Sequence, residues 1–239
     1  QVWSIASAEA NSNIFSIGTQ DNGTNIHNLD YNNSTDNWMK VQGGDGFTTV
    51  IDNHNTGIVF HSDAQSIQTR LLRSNDYGIT WNNNTNLIAS LGVVADDSEF
   101  PIVQDPEIPN RIYAGFDDLW RSDDYGDHWT KISDLHVPQK NIKTIAICNA
   151  KPSNIYINYS STVWFPAPLE NMFWYSPDGG SHWYDRTAGL NAVYGGIISG
   201  IAVDPYKPNI VYVSFRCGTP KIMRSLDYGN TWSDLTSGL

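Results

Sequence analysis

Short runs of β-branched and aromatic residues recur along the chain, and polar turns separate them. Near the C-terminus the apolar run Ser199 to Asp204 leads through a Pro/Asn turn to Asn209–Phe215, and then to Lys221–Ser225 and Thr231–Thr236. Runs of this length between turn residues predict short strands joined by hairpins. No segment shows a helical period, so the pattern predicts an all-β protein built from four-stranded antiparallel units.

One eight-residue phrase, Ser-x-Asp-x-Gly-x-x-Trp, occurs four times at spacings of about 50 residues, which is the spacing of a structural repeat. The copies begin at Ser74, Ser122, Ser176 and Ser225. A second phrase, a Pro/Asn turn followed by an apolar strand, is clearest from Asp105 and from Asp204. The segment around Trp38 supplies a degenerate fifth copy of the first phrase, so the chain contains five repeats.

Four-stranded units of this length, repeated in series, predict a β-propeller. The whole chain, 1–239, is expected to form one propeller domain or propeller segment. The five blades are predicted at approximately 1–42, 43–90, 91–137, 138–190 and 191–239. Unpaired edges would remain without a closing strand, so we favour a segment of a larger, about seven-bladed propeller over a complete five-bladed one.

Each residue type in the eight-residue phrase has a local structural reason. The aspartate can accept backbone N–H groups across a turn, the glycine can take a positive φ, and the tryptophan can pack between blades. These positions are therefore predicted to be structural: Asp76, Trp81, Asp124, Trp129, Asp178, Trp183, Asp227 and Trp232.

The phrase resembles the Asp-box, or bacterial neuraminidase repeat, of sialidases, sortilin-type receptor ectodomains and xyloglucan-degrading glycosidases. Together with GTQDNGT (Gly18 to Thr24) and GGDGF (Gly43 to Phe47), it looks similar to secreted or surface proteins of Bacteroidetes-type bacteria. The resemblance implies an extracellular or cell-surface location. In the xyloglucan-specific enzymes a similar segment carries one catalytic aspartate, and Asp21 falls at that position.

Charge and composition exclude several classes of function. The formal net charge is −11 and the 14 basic residues are scattered, which disfavours a nucleic-acid partner. No apolar run is long enough for membrane insertion. Cys148 and Cys217 lack the spacing of a zinc site, and they are either two buried thiols or a disulfide.

The ligand face is expected where loops join second to third strands and one blade to the next. Asp21, Asp45, Asp63, Asp117 and Asp118 all map to these loops. Asp21 and Asp45 could bind a ligand, or could instead brace the Gly-rich turns that contain them. We expect no metal site and no cofactor, with calcium held by these carboxylates as the alternative.

Two further features bear on the ligand. Sialidases bind the substrate carboxylate with three arginines, but only Arg216 lies in the predicted ligand loops, which argues against that activity. The loop from Ser160 to Met172 carries Trp164 and Phe165, which could stack on a sugar or contact a protein; alternatively this loop covers the propeller's edge. His61 and His136 are isolated, and we interpret them as ordinary surface or satisfied residues.

The sequence thus predicts an extracellular binding or adhesion module for a polysaccharide or protein, within a longer polypeptide that has further domains. Its predicted ligand residues are Asp21, Asp45, Trp164, Phe165 and Arg216. The alternative is a xyloglucanase-like glycoside hydrolase in which Asp21 is a catalytic carboxylate.

Overall fold

A computed structural model of the protein describes residues 1–8, 10–29, 38–65, 68–83, 100–135, 137, 140–161, 171–191, 196–216 and 220–237. In these residues the chain forms twenty strands in five four-stranded antiparallel sheets, each built from strands that are consecutive in sequence. The predicted all-β class and four-stranded unit are confirmed. We number the sheets blades 1 to 5 in chain order.

The strand bounds show how regular the units are. Blade 1 contains β1 (Val2–Ala8), β2 (Asn11–Thr19), β3 (Gly23–Asn28) and β4 (Trp38–Gln42). Blade 2 contains β5 (Asp45–Ile51), β6 (Val59–Gln65), β7 (Gln68–Ser74) and β8 (Asn82–Asn83). Blade 3 contains β9 (Ile102–Gln104), β10 (Ile112–Gly115), β11 (Leu119–Ser122) and β12 (Thr130–Lys131). Blade 4 contains β13 (Lys140–Ile147), β14 (Ile155–Ser161), β15 (Asn171–Ser176) and β16 (Tyr184–Asp185). Blade 5 contains β17 (Ile198–Val203), β18 (Val211–Phe215), β19 (Ile222–Ser225) and β20 (Ser233–Asp234).

The chain divides into two compact units. The first comprises Gln1–Gln104, Ile108–Tyr113 and Ser122–Trp129, and the second comprises Asp105–Glu107, Ala114–Arg121 and Thr130–Leu239. Blades 1 and 2 belong to the first unit and blades 4 and 5 to the second, while blade 3 contributes residues to both.

In the first unit, blade 1 packs against blade 2. The buried side chain of Ile14 in β2 joins a core cluster with Ile51 and Val59 of blade 2. Two residues further along β2, the hydroxyl of Ser16 forms a 2.5 Å hydrogen bond with the hydroxyl of Thr49. Side chains alternate along a strand, so one face of β2 is committed to this interface.

In the second unit, blade 4 packs against blade 5 through an aromatic core. Tyr156 and Phe173 are fully buried beside Val211 and Val213, and the Phe173 ring meets Trp232 edge to face at 5.4 Å between centroids. The Tyr156 hydroxyl donates to the Pro208 carbonyl at 2.5 Å. The same interface therefore buries large rings and satisfies their polar ends.

A short helix, α1 (Thr187–Asn191), corrects the expectation that helical structure is absent. It lies in the connection between blades 4 and 5. Asp185 Oδ1 accepts the Thr187 N–H at 2.7 Å, and Leu190 is buried in the core of blades 4 and 5. Five residues are too few to produce a helical period in the sequence. No described helix has the length and apolar character needed to cross a bilayer.

The position of Asp63 is a second correction, because the sequence maps it to a loop between the second and third strands. Instead β6 continues to Gln65, which pairs opposite Gln68 at the start of β7. His61 is fully buried: its Nδ1 lies 3.2 Å from Thr24 Oγ1, and its ring is edge-on to Trp81. This histidine is an interior packing residue with a hydrogen-bonded ring nitrogen.

The close approach of blades 1 and 2 predicts the effect of Gly18→Ala. An added Cβ would lie 2.7 Å from the Gly46 carbonyl oxygen and would also press on the Phe47 carbonyl. Because these neighbours are backbone atoms, we expect the free energy of unfolding to fall by about 1–3 kcal/mol. Urea denaturation measures this change. Gly43→Ala is the matched control, since no atom lies within 4 Å of its added Cβ. Equal losses in the two variants would contradict the packing argument.

Candidate functional site

The loop between β2 and β3 carries Asp21 on a tight turn. Asp21 has φ 63° and Gly23 has φ 70°, both in the left-handed region. The Thr19 hydroxyl closes the turn by donating to the Gly23 carbonyl at 2.8 Å. A non-glycine residue in this region is unfavourable, although aspartate and asparagine tolerate it better than most residues. The conformation of Asp21 is therefore held by its surroundings.

Blade 2 supplies the contacts that hold this turn. Asp45, the first residue of β5, accepts the Asp21 backbone N–H through Oδ1 at 2.7 Å. The Gly23 N–H donates to the Gly44 carbonyl at 2.8 Å. Asp21 is exposed and Asp45 is half-buried. The structure thus brings these two predicted ligand residues together, and one Asp45 oxygen braces the turn that displays Asp21.

The carboxylates of blade 3 differ in exposure. Asp117 is exposed, and its Oδ1 accepts the Asp118 N–H at 2.9 Å. Asp118 is buried, and it accepts hydrogen bonds from the Ser133 hydroxyl at 2.7 Å and from Lys131 Nζ at 3.3 Å. It joins the β10–β11 loop to the segment after β12. Burial, followed by the nearby Asp118 charge, raises the pKa of Tyr159.

The other sequence-predicted residues are dispersed or fall outside the described part of the chain. Arg216 is exposed at the end of β18 in the second unit, where its N–H donates to the Ile197 carbonyl at 2.8 Å. The side chain of Asp63 and the residues Trp164, Phe165, His136 and Cys217 lie outside the described set. Cys148 is a buried free thiol whose Sγ lies 3.4 Å from the Asp204 carbonyl oxygen. In the described ranges, no three His, Cys, Asp or Glu side chains cluster as metal ligands would.

The four Ser-x-Asp-x-Gly-x-x-Trp turns share one hydrogen-bond pattern. The aspartate Oδ1 accepts the serine hydroxyl and also the backbone N–H four residues after the aspartate, at 2.8 to 2.9 Å for the latter. The serine Oγ accepts the glycine N–H at 2.7 to 2.8 Å. The residue before the glycine has φ between 59° and 70° in every copy: Tyr77, Tyr125, Gly179 and Tyr228.

Two of the turns contain a histidine that the sequence analysis did not single out. Asp124 Oδ2 lies 2.6 Å from His128 Nδ1, and Asp178 Oδ2 lies 2.6 Å from His182 Nδ1. In the turns of blades 2 and 5, threonine hydroxyls make the equivalent contact. The spacing of four residues between each aspartate and histidine was the available sequence signal. These rings are highly exposed and complete the turn.

Comparison with known proteins supports both the repeat and the architecture. Residues 119–132, which include the turn of blade 3, match the family model described as BNR-Asp box repeat. A GH74 xyloglucanase from Xanthomonas campestris has a similar structure, with a TM-score of 0.73, 18% sequence identity and 98% of this chain covered. The fold is an Asp-box β-propeller.

Two other solved structures are similar to this chain and support the same fold. The GH74 enzyme of Niastella koreensis gives a TM-score of 0.72 at 19% identity over 97% of this chain. An ancestral GH74 enzyme gives 0.74 at 16% identity over 98%. The Asp-box propeller described here spans only 38%, 38% and 33% of those three chains. No curated protein matches it by sequence.

The hydrogen bonds of the Asp-box of blade 3 predict a pH dependence. Burial opposes ionisation of Asp124, but hydrogen bonds from the His128 N–H, the His128 ring and Ser122 outweigh it and lower its pKa to about 2. The hydrogen bond to Asp124, followed by the charge of that carboxylate, raises the pKa of His128. A lowered carboxyl pKa stabilises the fold above the ordinary value of 3.8, and this contribution is lost as the pH falls toward 2.

We therefore expect Asp124→Asn to lower the Tm at pH 6, with a difference from wild type that shrinks steadily between pH 4 and pH 2. Thermal melts across this range measure it. Asp117→Asn is the control, because Asp117 lies outside any Asp-box. The raised histidine pKa works in the opposite sense, so the His128 contribution should be lost as the pH rises through that pKa. A Tm difference independent of pH would contradict the assignment.

Proposed function

We propose that the propeller is a polysaccharide-binding module of a secreted or cell-surface protein, and that its site includes Asp21 and Asp45 at one end of blades 1 and 2. The main support is the 2.7 Å hydrogen bond from the Asp21 N–H to Asp45 Oδ1. It joins two blades and fixes an exposed carboxylate on a turn that would otherwise be unfavourable. A binding site needs side chains that are already in place when the ligand arrives.

The chemistry of this end of the molecule favours a neutral polysaccharide. Carboxylates accept hydrogen bonds from sugar hydroxyls, whereas the net charge of −11 would repel an anionic polymer. Gln20 and Asn22 flank Asp21 and are also exposed, which adds amide groups that can donate as well as accept. The GH74 xyloglucanase that shares this fold gives xyloglucan as the first polymer to test.

Asp21→Asn should weaken xyloglucan binding roughly tenfold, because a charged acceptor is replaced by a neutral one of the same shape. Asparagine also tolerates the left-handed backbone, so the turn should persist. Isothermal titration calorimetry with xyloglucan oligosaccharides measures the affinity. Glu107→Gln removes the same charge from an exposed turn between β9 and β10, and it should bind like wild type.

Two results would count against this proposal. One is the absence of binding to xyloglucan and to other neutral glucans by a folded protein. The other is equal weakening in Asp21→Asn and Glu107→Gln, which would indicate a general charge effect rather than a site at Asp21.

A glycoside hydrolase is the second candidate, because the Asp45 carboxylate contacts the turn that carries Asp21 and the similar structures include GH74 enzymes. Hydrolysis needs an acid and a base or nucleophile on either side of the scissile bond. The Asp45 oxygen that accepts the Asp21 N–H stabilises the turn and is therefore engaged in a structural contact. A hydrolase would need its second catalytic carboxyl group from elsewhere in the complete polypeptide.

Reducing-sugar release from xyloglucan separates the two candidates. For a binding module, Asp21→Asn in the complete polypeptide should leave any hydrolytic rate unchanged at saturating substrate. A fall in kcat by several orders of magnitude, with the fold intact by circular dichroism, would establish the hydrolase instead.

A further inference from the structure

Three blades repeat one cross-strand pair at the same register. An aromatic residue in the second strand lies opposite the residue that directly precedes the Asp-box serine in the third strand. The pairs are Phe60 with Arg73, Tyr156 with Tyr175, and Tyr212 with Arg224. Directly opposite side chains share one face of a sheet. The three pairs therefore mark the same face of blades 2, 4 and 5.

In blade 2 this face meets the Asp-box of blade 3. Phe60 is 1% exposed. Arg73 Nη1 donates to the Tyr125 carbonyl at 2.8 Å and lies 3.0 Å from Asp127 Oδ1. Tyr125 is the left-handed residue of that Asp-box, and Asp127 follows its glycine. The guanidinium thus bridges from one blade to the turn of the next.

In blade 4 the same face meets the Asp-box of blade 5. Tyr156 is fully buried, and the Tyr175 ring stacks on Tyr228 with centroids 5.2 Å apart. Tyr228 is the left-handed residue of its Asp-box, as Tyr125 is in blade 3. An arginine or an aromatic residue at this register therefore contacts the left-handed residue of the following Asp-box.

Blade 5 presents the equivalent face without such a contact among the described residues. Its opposite face is covered, since Val211 and Val213 are at most 1% exposed against blade 4. Tyr212 is only half-buried and Ala202, beside it in β17, is exposed. Arg224 Nε is buried and has no hydrogen-bond partner among the described residues. Blade 5 therefore repeats the aromatic–arginine pair of blade 2, with Tyr212 in place of Phe60 and Arg224 in place of Arg73.

We propose that this outer face of blade 5, formed by Ala202, Tyr212, Ser214 and Arg224, binds a further four-stranded Asp-box blade of the same polypeptide. That blade would cover the Tyr212 ring. Arg224 would donate to the backbone carbonyl of the left-handed residue in its Asp-box and would pair with an acidic residue that follows the Asp-box glycine. The contacts of Arg73 are the template. A blade of the same polypeptide agrees with the repeat of the sequence. It also agrees with the length of the similar xyloglucanase, of which this chain spans only 38%.

Hydroxyl-radical footprinting of the polypeptide as its source cell makes it, compared with residues 1–239 alone, tests this proposal. Tyr212 should be modified about tenfold more slowly in the natural polypeptide than in residues 1–239. Tyr156, fully buried, and Tyr206, 83% exposed, give the slow and fast reference rates in both samples.

Three outcomes would overturn the proposal. The first is equal modification of Tyr212 in both samples. The second is a natural polypeptide that ends at Leu239. The third is protection of Tyr212 in residues 1–239 that increases with protein concentration, which would assign the face to a second copy.

Paired arginine variants test the same proposal without relying on one residue. In residues 1–239, Arg73→Ala should lower the Tm by several degrees while Arg224→Ala should leave it unchanged. In the natural polypeptide both variants should lower the Tm. An unchanged Tm for Arg224→Ala in the natural polypeptide would overturn the proposal. These Tm measurements do not depend on whether the protein binds a glycan, so they test the blade contact separately from the proposed function.

Discussion

The hydrogen bonds within each Asp-box turn hold the outer edge of a blade in place. In blades 2 to 5 the outermost strand has only two residues, too few for a stable ladder on its own. The Asp-box aspartate supplies the missing restraint, because its Oδ1 accepts both from the serine at the end of the third strand and from the backbone just before the fourth. A carboxylate that accepts several hydrogen bonds is a strong tie between two short strands.

The same turn also connects neighbouring blades, so edge closure and blade packing depend on one element. The left-handed tyrosine presents its carbonyl to Arg73 in one interface and its ring to Tyr175 in another. The Asp-box tryptophan completes the contact: Trp232 packs edge to face on Phe173 of the preceding blade. Trp183 makes a longer connection, since its Nε1 donates to the Ile132 carbonyl of blade 3 rather than to its own turn.

The sequence predicted the features that repeat and missed those that depend on side-chain direction. The repeats predicted the strands and turns because blades 2 to 5 use the same serine, aspartate and glycine positions for the same hydrogen bonds. Phe15 in β2 and Tyr156 in β14 are both aromatic residues of a second strand, but their faces differ. Ile14 is the residue of β2 that meets the next blade, while Phe15 stacks on His27. Alternation has a period of two, so an offset of one residue reverses the face. The sequence did not predict the burial of Asp118 either, because its partner Ser133 lies beyond the next two strands.

The two ends of a blade differ in how their turns are stabilised, and this difference explains why Asp21 and Asp45 are the residues to test. At the Asp-box end the backbone geometry repeats closely, which leaves little freedom for a ligand-specific arrangement. At the other end, the β2–β3 turn is closed by the Thr19 hydroxyl and is also held by Asp45 of the next blade. A side chain placed by contacts between two blades is positioned by the rigid sheets rather than by its own loop. Such placement suits recognition, since the exposed Asp21 can meet a ligand without first paying to become ordered.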